Sequence, residues 1–214
     1  MKYFFIEKIL FSYLILFYVS AQKTLPTGCL EAFRSAALTA HNQYRSLCGV
    51  PLLDASNTID ISSQDYATQM AATNLFQHSV NSSYGENLYQ QYTSQDLTVS
   101  LCSQMGNQSV TAWYKEIAYY NYSNPGFDSK TGHYTQVVWK SSTMLGMGLG
   151  WSILNGYNYY YVVGQYSPAG NYLGQFATNV FHLLSTITTT PMNSTTTTTL
   201  MATLTTSVAV REIF

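Results

Sequence analysis

Three glycines at every second position, Gly146, Gly148 and Gly150, lie inside a stretch that otherwise reads as a β-strand. Side chains alternate between the two faces of a strand, so a period of two strips one face of side chains. A bare face of this kind implies that another element packs close against the backbone. The flanking segments, 145–153 and 157–166, are rich in β-branched and aromatic residues, with Leu154-Asn155-Gly156 between them. That pattern predicts an antiparallel hairpin.

Upstream of the hairpin the period changes. Leu30, Phe33, Ala37, Ala40, Tyr44 and Leu47 fall at three- and four-residue steps, which predicts a helix over 30–47, stopped by Gly49 and Pro51. A second helix is expected over about 55–75. Asp54 would be its N-cap, and Ile59, Ser63, Tyr66, Ala67, Met70 and Ala71 its buried stripe. A third is expected to begin near Ser109, to turn Val110, Trp113 and Ile117 inward, and to end before Asn124-Pro125-Gly126. Helices followed by a hairpin, with no βαβ alternation, imply an α+β sandwich.

The 214 residues suffice for one well-buried domain, and 46% of them are hydrophobic. Only 9% are charged, with a formal net charge of −1, which leaves no basic surface for nucleic acid or for an anionic membrane. Lys2 and Lys8 flank a short basic region, 9–19 is mostly apolar, and Val19-Ser20-Ala21 fits a signal-peptide cleavage pattern. Residues 1–21 therefore read as a leader cut before Gln22. The apolar stretch is shorter than the roughly 20 residues of a membrane span. Four Asn-x-Ser/Thr triplets, at Asn81, Asn107, Asn121 and Asn193, agree with an extracellular destination and would place glycans on surface loops.

Cys29, Cys48 and Cys102 form an odd set, so an oxidising compartment leaves one bridge and one thiol. Cys29 and Cys48 bracket the first helix and would stand far beyond bonding range, so a bridge is expected to involve Cys102, its partner left open. From Ser185 onward the composition turns to Thr and Ser, including 195–199. The expected organisation is an N-terminal extension over 22–31, a folded domain over 32–182 and an unstructured tail over 183–214. Pro191 among the hydroxyl residues suggests an O-glycosylated stalk, with an unmodified disordered end as the alternative. Residues 200–214, broken by Thr, Arg211 and Glu212, do not fit a lipid-anchor signal.

The mature chain has few His and Glu, and four of them stand in separate segments: His78 after the second helix, Glu86 in Gly85-Glu86-Asn87-Leu88-Tyr89, Glu116 on the third helix, and His133 after Gly132. Two imidazoles with carboxylates nearby are ligand chemistry for zinc or another divalent cation, although spacing alone does not show that they meet. The flanking sequence adds to this. Gly132-His133-Tyr134-Thr135-Gln136-Val137-Val138-Trp139-Lys140-Ser141-Ser142 resembles the most diagnostic signature of the CAP superfamily (cysteine-rich secretory proteins, antigen 5 and pathogenesis-related 1). Residues Tyr161-Val162-Val163-Gly164-Gln165-Tyr166-Ser167-Pro168-Ala169-Gly170-Asn171 resemble its second signature. His41-Asn42-Gln43-Tyr44-Arg45 and Gly85-Glu86-Asn87-Leu88-Tyr89 match two shorter ones.

The resemblance spans roughly 32–181 and implies an α-β-α sandwich with a central antiparallel sheet. It also implies a cavity tetrad of His78, Glu86, Glu116 and His133, in which His78 and His133 hold a divalent metal. Gly164 stands where the second signature usually has a cysteine. The wording around Pro125-Gly126-Phe127 and Gly174-Gln175-Phe176 looks closest to the Golgi-associated pathogenesis-related branch. The stretch 93–108, with Cys102, is longer than that branch usually has, on a side of the fold where loops shape lipid-binding regions in some relatives. Asn42, Arg45, Asn87, Tyr134 and Trp139 are expected to be structural.

These readings point to a secreted, non-catalytic binding domain that takes a metal in the cavity and a sterol or fatty acid on apolar surface. Two alternatives use the same residues or the tail. One is a metal-dependent hydrolase with Glu86 or Glu116 as base, which is weakened by having only two His ligands. The other is an adhesive glycoprotein on an O-glycosylated stalk.

Overall fold

The bare face of the glycine strand is covered by a helix laid directly on the backbone. The structure, a computed structural model, describes residues 24–184 and the backbone of 209–211. The expected leader over 1–21, the Asn193 triplet and most of the tail lie outside the described residues. Helix α1 is Cys29–Leu47, strand β1 Asp54–Ala55, helix α2 Asn57–Thr73 and strand β2 Gly85–Thr93. Helix α3 (Val99–Lys115) runs into a 3₁₀ turn (Glu116–Tyr119), and helix α4 is Gly132–Val137. Strands β3 (Met144–Leu154) and β4 (Tyr157–Ser167), helix α5 (Phe176–Asn179) and strand β5 (Ala209–Arg211) complete the order.

The sheet runs β1-β3-β4-β2-β5. All its pairings are antiparallel except the two-residue β1, which pairs with β3 in parallel. Apolar side chains fill both sides. On one, Ala67, Met70 and Ala71 of α2 pack on Leu88, Tyr161 and Val163. On the other, Phe33, Ala37, Trp113, Val137 and Trp139 meet Tyr89, Met147, Leu149 and Tyr166. This is the α-β-α sandwich expected from the sequence.

A Cβ added at Gly146, Gly148 or Gly150 would lie 2.1–2.2 Å from backbone atoms of Ile59, Ser63 and Ala67 respectively. Those helical residues are four apart, a rise of about 6 Å. The glycines are two apart, a rise of about 6.7 Å. Helix and strand therefore march in step, and only glycine permits the contact. Side chains of α2 also bond the neighbouring peptides of β3. Asp60 Oδ1 accepts from Met147 N at 2.7 Å, and Gln64 both accepts from Leu149 N and donates to Leu149 O, at 3.0 and 2.9 Å.

Several boundaries differ from the sequence reading. Asp54 does not cap α2, because it enters the sheet opposite Met144, and the N-cap falls on Ser56. Helix α3 begins ten residues before Ser109, and the second half of 93–108 is helical. Thr98 is its cap, with Oγ1 accepting from Leu101 N at 3.1 Å, while Ser109 is fully buried in mid-helix and donates to Gly106 O. Glu116 falls on the 3₁₀ turn rather than on α3 itself. Within the tail expected to be unstructured, residues 209–211 pair with 90–92 of β2, whose outer edge offers backbone groups regardless of tail composition.

Cys102 is bridged to Cys29 with their Cα atoms 5.4 Å apart, which fastens α1 to α3 and leaves Cys48 as a buried thiol. No helix among the described residues is long and apolar enough to cross a membrane.

Candidate functional site

The four residues expected to form a tetrad meet as two His–carboxylate pairs. His78 Nδ1 lies 2.8 Å from Glu86 Oε1, and His133 Nδ1 lies 2.7 Å from Glu116 Oε1. A carboxylate accepts, so each ring presents an N–H at Nδ1 to its carboxylate. Carboxylates that orient histidines in this way are a recurring support for metal ligands.

Each carboxylate has further partners. Glu86 accepts from Ser79 N at 2.9 Å, from Ser79 Oγ at 2.7 Å and from Gln165 Nε2 at 3.1 Å. Burial pushes the Glu86 carboxyl up, but the bonds from His78, Ser79 and Gln165 outweigh it and hold the group below its ordinary value. Glu116 Oε2 accepts from His133 N and Tyr134 N, both at 3.0 Å, so it satisfies first-turn donors of α4 as well as holding the ring.

The pairs differ in setting. The His78 side chain is 35% exposed, whereas that of His133 is 2% exposed and stacks 6.2 Å from the ring of Trp113. Ser79 and Gln165 line a cavity of about 560 Å³ with Tyr66, Asn81 and Tyr84. Glu116 lines another of about 610 Å³ with Tyr89, Gln91, Thr111, Lys115 and Tyr119. Among the described residues, no group of three or more His, Cys, Asp and Glu is arranged to hold a metal ion. The described residues therefore present two separate His–carboxylate pairs, and not a closed four-ligand site.

The motif residues expected to be structural are so. Arg45 is fully buried and donates to the carbonyls of Pro51, Val137, Trp139 and Ser142 at 2.7–3.0 Å. Burial lowers its guanidinium to about 10, so it remains charged at neutral pH. Asn42 bonds both backbone groups of Leu53. Tyr134 and Trp139 are core residues. Asn87 donates to His133 O and to Tyr166 Oη, at 3.1 and 3.2 Å.

The sequence reading missed His41, Gln165 and Tyr166 as members of this network. His41 Nδ1 donates to Ala37 O at 2.8 Å, so Nε2 accepts from Tyr166 Oη, also at 2.8 Å. Burial drives the His41 ring down to about 3, and it is neutral. All three stand inside the quoted motifs, so their place in those motifs was the available signal. Gly164, at the usual cysteine position, faces Trp113, where an added Cβ would lie 3.1 Å from the indole.

An α-β-α domain with two carboxylate-held histidines beside a signature helix defines a class of protein that the comparisons identify. Residues 38–166 match the model of the cysteine-rich secretory protein family, CAP. The chain belongs to the CAP family.

It is 37% identical over 152 residues to the human "Golgi-associated plant pathogenesis-related protein 1", covering 70% of this chain and 93% of that protein. It is also 37% identical over 152 residues to "Protein PRY2" of Saccharomyces cerevisiae, but spans only 42% of that longer protein. "Secreted protein RBT4" of Candida albicans is 36% identical over 152 residues, with 66% of this chain and 36% of that protein covered. Among solved structures, BmVAL-1 superposes with a TM-score of 0.57 at 24% identity, covering 71% of this chain and 84% of that one. NaASP2, solved with Zn2+, gives 0.54 at 22% identity, covering 75% and 90%. These structures share the fold.

Proposed function

We propose that this is a secreted, non-catalytic binding domain in which His78 and His133 hold a divalent cation, zinc first among them. The observation that supports the reading is that a carboxylate holds each ring through Nδ1, the orientation in which a neutral imidazole would coordinate through Nε2. Glu86 and Glu116 are both engaged in holding the rings and backbone donors, so neither is poised as a general base. Two imidazoles also fall short of the three protein ligands of a catalytic zinc site. A bound cation would supply charge for an anionic or carbonyl-bearing ligand. His78 and His133 bind it, and Glu86 and Glu116 keep the rings in their tautomers.

Zinc titration by calorimetry of wild type, His78→Ala and His133→Ala, at pH about 7.5 and about 5.5, tests this. Binding is expected in wild type at the higher pH, weakened by acid and by either substitution. Equal affinity in wild type and both variants would overturn the site. We assign the sterol or fatty-acid ligand that the family resemblance implies to the cavity of about 610 Å³, whose walls include Tyr89, Ala112, Ala118 and Tyr119 and whose size suits a small ligand. Labelled cholesterol and palmitate are the probes, and absence of saturable binding to either would remove that half of the proposal. We place the protein outside the cell on the leader-like pattern of residues 1–21 and the Asn triplets, a reading supported by its likeness to the secreted protein RBT4 of Candida albicans.

A further inference from the structure

The three Asn-x-Ser triplets within the described residues are not equivalent. Taking the chain as secreted, we propose that Asn81 and Asn121 carry N-linked glycans and that Asn107 does not. Asn81 and Ser83 are both exposed, in the loop between α2 and β2, and Asn81 adopts a left-handed backbone with φ of 62°. Asn121 and Ser123 are exposed just beyond the 3₁₀ turn, where Asn121 Oδ1 accepts from Ser123 N at 3.0 Å. In both triplets the Asn and the Ser two residues on lie at the surface outside any helix or strand, and at the second triplet only Tyr122 between them is anchored, its Oη 2.6 Å from that of Tyr134.

Asn107 is the middle residue of the 17-residue α3. Its side chain is exposed, but Ser109 is 0% exposed and its hydroxyl is spent on Gly106 O at 3.2 Å. Gly106 itself lies against α1 so closely that a Cβ there would sit 2.3 Å from Phe33 O. Presenting this triplet to a transferase means unwinding the centre of α3 and withdrawing Ser109 and Val110 from the core.

The donor is a lipid-linked oligosaccharide pyrophosphate. The Asn carboxamide nitrogen bonds to C1 of the first sugar and gives up one proton. The C1–O bond breaks, and the lipid pyrophosphate leaves with its electron pair. The outcome is asymmetric. A glycan on Asn81 stands on the rim of the 560 Å³ cavity that reaches the Glu86 partners Ser79 and Gln165, whereas an unmodified Asn107 leaves the rim of the 610 Å³ cavity beside Glu116 open.

The test is to express the full chain in a eukaryotic secretory cell line and to separate medium from lysate. The protein is then deglycosylated with peptide N-glycosidase in heavy-oxygen water and the labelled sites read by mass spectrometry, which scores Asn193 separately. Label is expected at Asn81 and Asn121, with at least tenfold lower occupancy at Asn107. Ser83→Ala and Ser123→Ala should each remove one glycan's mobility shift, and Asn107→Gln should remove none. Comparable label at Asn107, or secreted protein bare at Asn81 and Asn121, overturns the proposal while leaving secretion intact. Protein confined to the cytosol with no label overturns both.

Discussion

Replacing Gly148 with alanine puts a methyl group where the structure has no room for one. The added Cβ would meet Ser63 O at 2.1 Å, Ser63 C at 2.3 Å and Gln64 N at 2.6 Å. All three are backbone atoms, so no side-chain rotation relieves the clash. Ordinary contact begins at 3.4 Å, so α2 must retreat by about 1.3 Å. That shift also stretches the bonds from Asp60 to Met147 and from Gln64 to Leu149.

Overpacking of this kind costs about 1–3 kcal/mol. Each weakened hydrogen bond adds about 0.5–1.5 kcal/mol. The stiffer unfolded chain returns about 0.4–1 kcal/mol. A net loss of about 3 kcal/mol is expected, which lowers the melting temperature by about 6–12 °C. Urea unfolding followed by tryptophan fluorescence measures it. Gly126→Ala is the control, because nothing lies within 4 Å of the Cβ it would add. A Gly148→Ala midpoint within about 0.5 kcal/mol of the control would refute the argument that α2 is seated on bare backbone.

Three other outcomes are expected. His41 is buried and neutral, with its ring lowered from 6.5 to about 3, so between those values the unfolded chain binds a proton that the folded one refuses. Stability is therefore complete above pH 6.5 and falls on acidification by up to about 1.4 kcal/mol per unit, and His41→Gln should flatten that slope in urea titrations above pH 5. Glu86 contributes in a lower window, its stabilisation being lost as pH falls below 4.5, and an unchanged slope in His41→Gln would exclude His41 as the source. The Cys29–Cys102 bridge closes a separation of 73 residues, so its reduction should cost about 4 kcal/mol, read as the difference between urea curves with and without reductant. Arg45→Lys cannot serve four carbonyls at once and should cost about 3 kcal/mol or more by the same assay.

What the sequence made legible follows from how local each signal is. The hairpin and α1 are strictly periodic and were found nearly to the residue. The bare glycine face announced a close neighbour, although not that α2 would supply it. Strand β2 is not legible as a strand, because Asn87, Gln90, Gln91 and Thr93 are buried polar residues that break the apolar alternation of a half-buried strand. The first turns of α3 are hard to read because Ser100, Ser103 and Gly106 weaken the helical signal there, which makes the buried Ser109 look like a cap in place of Thr98. The pairing of His78 with Glu86 and of Glu116 with His133 could not be read from spacing. Flanking motifs pointed to all four residues, and the tertiary fold supplied the pairing. The hydrogen-bonded link from Asn87 through Tyr166 to His41 was invisible for the same reason, since it joins three separate elements.

The side chains of α2 that bond β3 also decide how this protein can meet itself. Asp60 and Gln64 occupy peptide groups on the outer edge of β3, and beyond the two residues of β1 that edge offers little to a newcomer. Among the described residues, the opposite margin, β2, is extended by the three residues of β5. Pairing of two β2 margins across a two-fold axis would be an isologous, closed contact. A strand that added to the Met147–Leu149 stretch of β3 would have to displace these α2 side chains, so the helix that fits the glycine strand also guards that stretch of edge.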